Sequence, residues 1–125
     1  MNVVDSSAWI EYLADLPNAS EFAEPIEATA ELIVPTLTIF EVFKRVAQLN
    51  GESAAIEAVG LMTQGRTVEL SSSIALEAAR VSLEMRLPMA DTIILATARL
   101  EGAVLWTQDA HFEGIDGVEF RAKGQ

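Results

Sequence analysis

Short, wholly apolar runs alternate along this chain with longer stretches whose apolar residues recur every three or four positions. The runs are Val3-Val4, Leu32-Ile33-Val34 and Ala103-Val104-Leu105-Trp106, stopped by Asp5, by Pro35 and by Thr107-Gln108-Asp109. Runs this short, apolar at every position, predict strands buried on both faces. Thr67-Val68-Glu69-Leu70 and Val118-Glu119-Phe120 predict two further strands of more mixed polarity.

Helical patterns fill the intervals. Trp9, Ile10 and Leu13 share one side of a segment from about Ser7 to Ala14, ended by Asp15-Leu16-Pro17-Asn18, and a second amphipathic stretch runs from about Ala19 to Ala30. From Thr36 to Asn50 the apolar positions are Ile39, Phe40, Phe43, Val46 and Ala47, and Gly51 supplies a C-terminal stop. Glu52 to Met62 reads as another helix. Ser71-Ser72-Ser73 offers a cap for a helix from Ile74 to Met85, and Pro88 opens one that runs to about Glu101 and stops at Gly102.

Strands alternating with helices predict an α/β fold of three layers, a parallel sheet of four or five short strands covered by helices on both faces. No linker, internal repeat or low-complexity segment divides it, so one domain over residues 1–125 is expected. In open sheets of this kind ligands lie beyond the carboxyl ends of the strands, where the strand order reverses. Asp5 and Asp109 each follow such an end.

Composition narrows the chemistry. The chain has no cysteine, which removes disulfides, zinc thiolates, iron–sulfur clusters and thiol nucleophiles. Eight basic residues against 19 acidic ones give a net charge of −11, a balance that repels a polyanion at long range yet supplies the oxygen ligands hard divalent cations require. The opening residues carry no basic region ahead of an apolar stretch, and no apolar run approaches the ~20 residues that span a bilayer. A soluble cytoplasmic protein is expected.

Four acids are the candidates. Asp5 is either an N-cap or a carboxylate aimed into the crevice, with Ser6 and Ser7 able to cap in its place. Glu41 falls with Thr38, Lys44, Arg45 and Gln48 on the polar side of its helix, where pairing with Arg45 is the bland alternative. Asp91 shares a face with Ile94, Leu95 and Ala98, and an acid on an apolar stripe needs a compensating partner beyond the helix N-terminus it sits in. Asp109 either closes a turn or joins the others, with Thr107 placed to hold its carboxylate, while His111 reads as a packing or hydrogen-bonding residue and not a general base. Four carboxylates on one sheet edge repel unless a cation such as Mg²⁺ joins them. A metal-activated water attacking phosphorus is then the expected chemistry.

These residues resemble the PIN-domain ribonucleases, most closely the VapC-like toxins of type II toxin–antitoxin systems. The resemblance spans the chain: Val3-Val4-Asp5-Ser6-Ser7-Ala8-Trp9-Ile10 is similar to the opening strand with the first acid, and Thr38-Ile39-Phe40-Glu41-Val42 to the segment with the glutamate. Pro88 through Ala98 resembles the helix carrying the third acid, Asp91, and Leu105 through Phe112 the segment carrying the fourth, Asp109. The resemblance implies a Mg²⁺- or Mn²⁺-dependent endoribonuclease in which Asp5, Glu41, Asp91 and Asp109 are the catalytic metal ligands. Ser7 and Thr107 support them by hydrogen bonds, and the implied partners are RNA, a cognate antitoxin and a second copy of the chain. Lys44 and Arg45 are the cations expected to hold RNA phosphate.

Two other readings stay open. A Mg²⁺-dependent phosphotransfer domain of similar fold, of the haloacid-dehalogenase or receiver type, also gathers acids after strand one. The former asks for a second aspartate where Ser7 stands; the latter asks for an acid pair near strand one and a lysine after a late strand. A non-catalytic binding module, its acids serving only as caps, is the third.

Overall fold

The computed structural model describes residues 1–124. In chain order the elements are β1 (Asn2–Val4), α1 (Ser6–Leu13), α2 (Ala19–Glu27), a 3₁₀ turn (Thr29–Glu31), β2 (Leu32–Pro35), α3 (Thr36–Asn50) and α4 (Glu52–Met62). There follow β3 (Arg66–Val68), α5 (Ser72–Glu84), α6 (Met89–Leu100), β4 (Val104–Thr107), a second 3₁₀ turn (Ala110–Phe112) and β5 (Val118–Phe120).

All five strands are parallel in the order β3-β2-β1-β4-β5. The expected three-layer α/β architecture is therefore present with five strands. Because side chains alternate across a strand, neighbouring residues feed opposite cores. Val4, Leu32 and Val34 pack with Trp9, Phe22, Val42 and Met62 under α1 to α4, while Val3, Ile33 and Leu105 pack with Val81, Ile94 and Leu95 under α5 and α6. This two-sided burial is why Val3-Val4 and Leu32-Ile33-Val34 carry no polar alternation. Among the described residues no helix is long and apolar enough to cross a membrane.

Strand order positions the site. The chain moves outward from β1 to β2 and β3, then returns to the other side of β1 for β4 and β5, so the order reverses between β1 and β4. Asp5 and Asp109 lie beyond the carboxyl ends of these two strands. The Asp5 N–H donates to the Trp106 carbonyl at 2.9 Å, carrying the β1–β4 pairing up to the first acid.

Several elements differ from the sequence expectation. The second amphipathic stretch ends as a helix at Glu27, with Pro25 in its last turn, and continues only as the 3₁₀ turn to Glu31. The third strand is Arg66–Val68, paired Ile33 with Arg66 and Val34 with Thr67; it starts one residue before the expected Thr67–Leu70 and ends two before it, as an exposed edge that apolar spacing does not mark. On α3 the buried line is Thr38, Val42 and Val46, so Thr38 is not on the polar side, and Phe40 is 60% exposed. The helix lays that line against the sheet core while Ile39 and Phe43 are only partly covered by packing, which leaves Phe40 outermost.

Two glycines sharpen this account. A Cβ built on Gly65, just before β3, would come within 2.8 Å of the Leu32 carbonyl oxygen in the neighbouring strand, whereas one on Gly60, inside α4, meets nothing within 4 Å. Gly65→Ala is expected to destabilise the fold by about 1–3 kcal/mol through overpacking. Gly60→Ala should instead stabilise it by up to about 1 kcal/mol through helix propensity. Urea unfolding of the two variants beside the parent checks both signs, and a stabilising Gly65→Ala would contradict the strand packing described.

Candidate metal centre

Asp5 occupies the N-cap position of α1 but its carboxylate caps nothing in that helix. It is buried, 3% exposed, and its Oδ2 accepts hydrogen bonds from Ser7 Oγ and Thr107 Oγ1, both at 2.9 Å. The Thr107 hydroxyl in turn accepts from the Asp109 backbone N–H at 3.0 Å. One β4 hydroxyl therefore ties the acid after β1 to the acid after β4. Ser7 and Thr107 also approach each other, at 3.5 Å between their oxygens.

Asp109 closes the turn into the second 3₁₀ element, its Oδ1 accepting the His111 N–H at 2.9 Å. The same oxygen lies 2.8 Å from His111 Nδ1, and that nitrogen is 3.5 Å from Asp91 Oδ2. Ligand atoms of Asp91, Asp109 and His111 all fall within 4.8 Å of one another. Asp91 sits in the first turn of α6, with Ile94, Leu95 and Ala98 of its own face fully in the core. Its Oδ2 is buried and has no hydrogen-bond partner. Glu41, on α3, is half-buried and lines a cleft together with Ser6 and Ser7.

The charges act on one another across this space. Burial pushes the Asp5 carboxyl above its ordinary value, with Thr107 and Ser7 opposing and Asp109 adding to the rise. Glu41 is raised by burial and then by the charges of Asp5 and Asp109, with the Ser6 side chain opposing. Asp91 rises to about 7, through burial first, then the charges of Asp109 and Asp5 and a hydrogen bond with Asp109, with His111 pulling it back. Repulsion through Asp109 thus reaches all three other acids, so the structure brings Asp5, Glu41, Asp91 and Asp109 into one electrostatic group.

This donor set fits a hard divalent cation. It offers carboxylate oxygens and one imidazole in a compact cluster, with an unpartnered buried oxygen among them, and its excess negative charge is what such an ion would neutralise.

Of the cations proposed for phosphate, Arg45 lines a cleft of about 500 Å³ with Ser6, Ser7 and Glu41. Lys44 lies 5.9 Å over the Phe40 ring and lines a different, apolar groove, since one helical step of 100° separates it from Arg45. Sequence reasoning missed His111 as a member of the cluster; its spacing of two from Asp109 within a turn was the available signal. It also missed Glu11, Gln108 and Lys123, which border the same cleft as Arg45.

The PIN domain family model matches residues 3–118. Among solved structures the chain is similar to a toxin–antitoxin complex from Klebsiella pneumoniae, with 24% identity and a TM-score of 0.80 over 95% of this chain and 96% of that one. It is similar to Mycobacterium tuberculosis VapC20, a sarcin–ricin loop cleaving toxin, with 18% identity and a TM-score of 0.75 over 93% and 95% of the two chains. DNA-bound VapBC from Salmonella typhimurium gives 15% identity and a TM-score of 0.75 over 97% and 96%. At these identities the likeness establishes the fold. No curated protein matches the chain.

The raised acids make stability depend on pH. Folded Asp91 keeps its proton to about pH 7 and an unfolded aspartate to about 3.8, so the folded state binds more protons between those values and stability falls as pH rises through that window. Asp5 and Glu41 shift in the same direction. In chelator, the melting temperature is expected to fall from acid to neutral pH, less steeply in Asp91→Asn. Mn²⁺ should raise it most at the alkaline end. A melting temperature that climbs with pH in chelator would contradict the clustering of charge.

Proposed function

This chain belongs to the PIN-domain family, and from that premise we propose that it is a single-domain, Mg²⁺- or Mn²⁺-dependent endoribonuclease acting in the cytoplasm as the toxin of a toxin–antitoxin pair. The observation that carries the metal dependence is the buried Oδ2 of Asp91, which accepts no hydrogen bond among the described residues and lies beside Asp109 and His111, because a half-buried acid crowded by a second carboxylate is costly unless a cation compensates it. Membership of a nuclease family and similarity in fold to a toxin that cleaves the sarcin–ricin loop support RNA as the substrate.

In this reading Asp5, Glu41, Asp91 and Asp109 hold the cation, which when bound supplies Lewis acidity at phosphorus and lowers the pKa of water. Thr107 and Ser7 fix the Asp5 carboxylate by donating to its Oδ2. Glu41, raised by burial and then by the charges of Asp5 and Asp109, is suited to take a proton from a water placed beside it. Arg45, on the same helix and in the same cleft, meets the scissile strand's phosphate as a planar fork of donors. His111 orients Asp109, its ring held between two carboxylates.

The partners follow from surfaces. An apolar groove of about 390 Å³ lined by Ile39, Phe40, Phe43, Ile56 and Val59 suits an amphipathic antitoxin helix. Leu76, Leu83 and Met89 are exposed on α5 and α6, an apolar face suited to a second copy of the chain. Toxin–antitoxin complexes among the similar structures support the first of these partners.

The direct test incubates antitoxin-free protein with a mixed RNA pool, with Mg²⁺, with Mn²⁺ or with chelator, beside Asp5→Asn and Asp91→Asn. Cleavage is expected only in the wild type supplied with metal; equal cutting by the variants would assign it to another site or a contaminant. Thr107→Val keeps shape but removes the hydroxyl between Asp5 and Asp109. Its cost is expected to be about 10–100-fold in activity or Mn²⁺ affinity, the usual range for a residue that orients a metal ligand, with folding retained by circular dichroism.

A further inference from the structure

A chain of net charge −11 that holds a polyanion beside four carboxylates places a heavy demand on few cations. Arg66 and Arg80 are engaged with Glu101 and Glu77, Arg121 with Glu21 and Glu119, and Lys44 lies over Phe40. Arg45 and Lys123 line the cleft beside the acids, and neither has a carboxylate at ion-pair distance among the described residues. They reach it from opposite flanks. Arg45 is on the helix after β2 and Lys123 on the segment after β5, while the strand order sets β1 and β4, with Asp5 and Asp109 at their ends, between the two.

Lys123 also borders a second hollow, of about 630 Å³, which includes Ser7, Gln108, Asp109 and Phe120. The two hollows share Ser7, Gln108 and Lys123, so this lysine stands at their junction, on the border of the hollow that includes Asp109.

The tail that bears Lys123 is pinned from several sides. The Arg121 N–H donates to the Thr107 carbonyl at 2.9 Å, and Asn18 Nδ2 donates to the Ala122 carbonyl at 2.7 Å and to Gln108 Oε1 at 3.1 Å. Gln108 Nε2 donates to Glu11 Oε1 at 2.8 Å, and Glu11 Oε2 accepts the Asn18 N–H at 2.8 Å, closing a ring. Glu11 and Gln108 are both buried. Gly124 lies so near Pro17 that a Cβ there would come within 2.6 Å of the proline Cβ. A buried carboxylate is costly unless hydrogen-bonded; here its bonds hold the Lys123 tail to α1 and to the residue before Asp109.

Building on the nuclease reading, we propose that Arg45 and Lys123 form a two-sided clamp on the RNA backbone phosphates, with Lys123 held in place by the Asn18–Gln108–Glu11 ring. Contacts of this kind set register and affinity and carry no base preference. They act on substrate binding and not on bond breaking.

The test binds a short fluorescein-labelled single-stranded RNA of randomised sequence to Asp91→Asn protein, in which cutting is silenced, across a salt series. Lys123→Gln is expected to weaken binding severalfold and to reduce the slope of log affinity against log salt by about 0.7, the counterion release of one phosphate on a single strand. Lys123→Arg should restore both. Asn18→Ala, which loosens the tail without removing its charge, should weaken binding too, and its effect should not add to that of Lys123→Gln. In the cutting enzyme, Lys123→Gln should raise KM with kcat unchanged. An unaltered salt slope in Lys123→Gln, or full additivity with Asn18→Ala, overturns the clamp or its pinning respectively. Failure of the wild type to cut RNA with Mn²⁺ overturns the nuclease reading instead, and the salt slope still decides the clamp.

Discussion

The hydroxyl of Thr107 is the contact on which the site depends. It donates to Asp5 and accepts from the backbone of Asp109, and the ends of β1 and β4 cannot drift apart without breaking both this bond to Asp5 and the one from the Asp5 N–H to the Trp106 carbonyl. Its position comes from the parallel register that sets Val4 beside Trp106, one residue short of the pair that must meet. Ser7, from the first turn of α1, reaches the same carboxylate oxygen and fixes the helix to that junction.

That rigidity holds an arrangement the acids themselves oppose. Burial and mutual repulsion raise Asp5, Glu41 and Asp91 together, and hydroxyl groups, the Ser6 backbone and His111 act in the other direction. The cost is met by packing elsewhere: Val3, Val4, Ile33, Val34 and Leu105 are fully buried in the strands, and Trp9, Phe22 and Phe112 in the elements that follow them. A site strained in this way favours any ligand that brings positive charge, which links occupancy to stability.

The same logic extends to the ring around Glu11. A carboxylate buried in α1 is unfavourable by itself, yet Gln108 and Asn18 satisfy both its oxygens, and with the Asn18 bond to Ala122 they hold residues 11–18, Gln108 and the tail together. Polar groups near the crevice thus serve placement, while the broad apolar surfaces of α3 with α4 and of α5 with α6 face outward on separate sides of the molecule.

Much of this was legible in the linear pattern, because strand and helix periods are local properties. Thr36–Asn50, Glu52–Met62 and Val118–Phe120 begin and end where caps, glycines and apolar spacing indicate, and the acids fall at strand ends and helix starts by residue order alone. Local period does not say which side of a helix meets the core when most of its circumference is apolar, so Thr38 and Phe40 exchanged places. Nor does it say which strands lie side by side. Asp5 and Thr107 are separated by 102 positions, and the ring joins Glu11 to Gln108 across 97, so only the packing of β4 against β1 brought them together. Residue types and their order determined what chemistry was available; strand order, decided by how the helices bury both faces of the sheet, determined which of those residues meet.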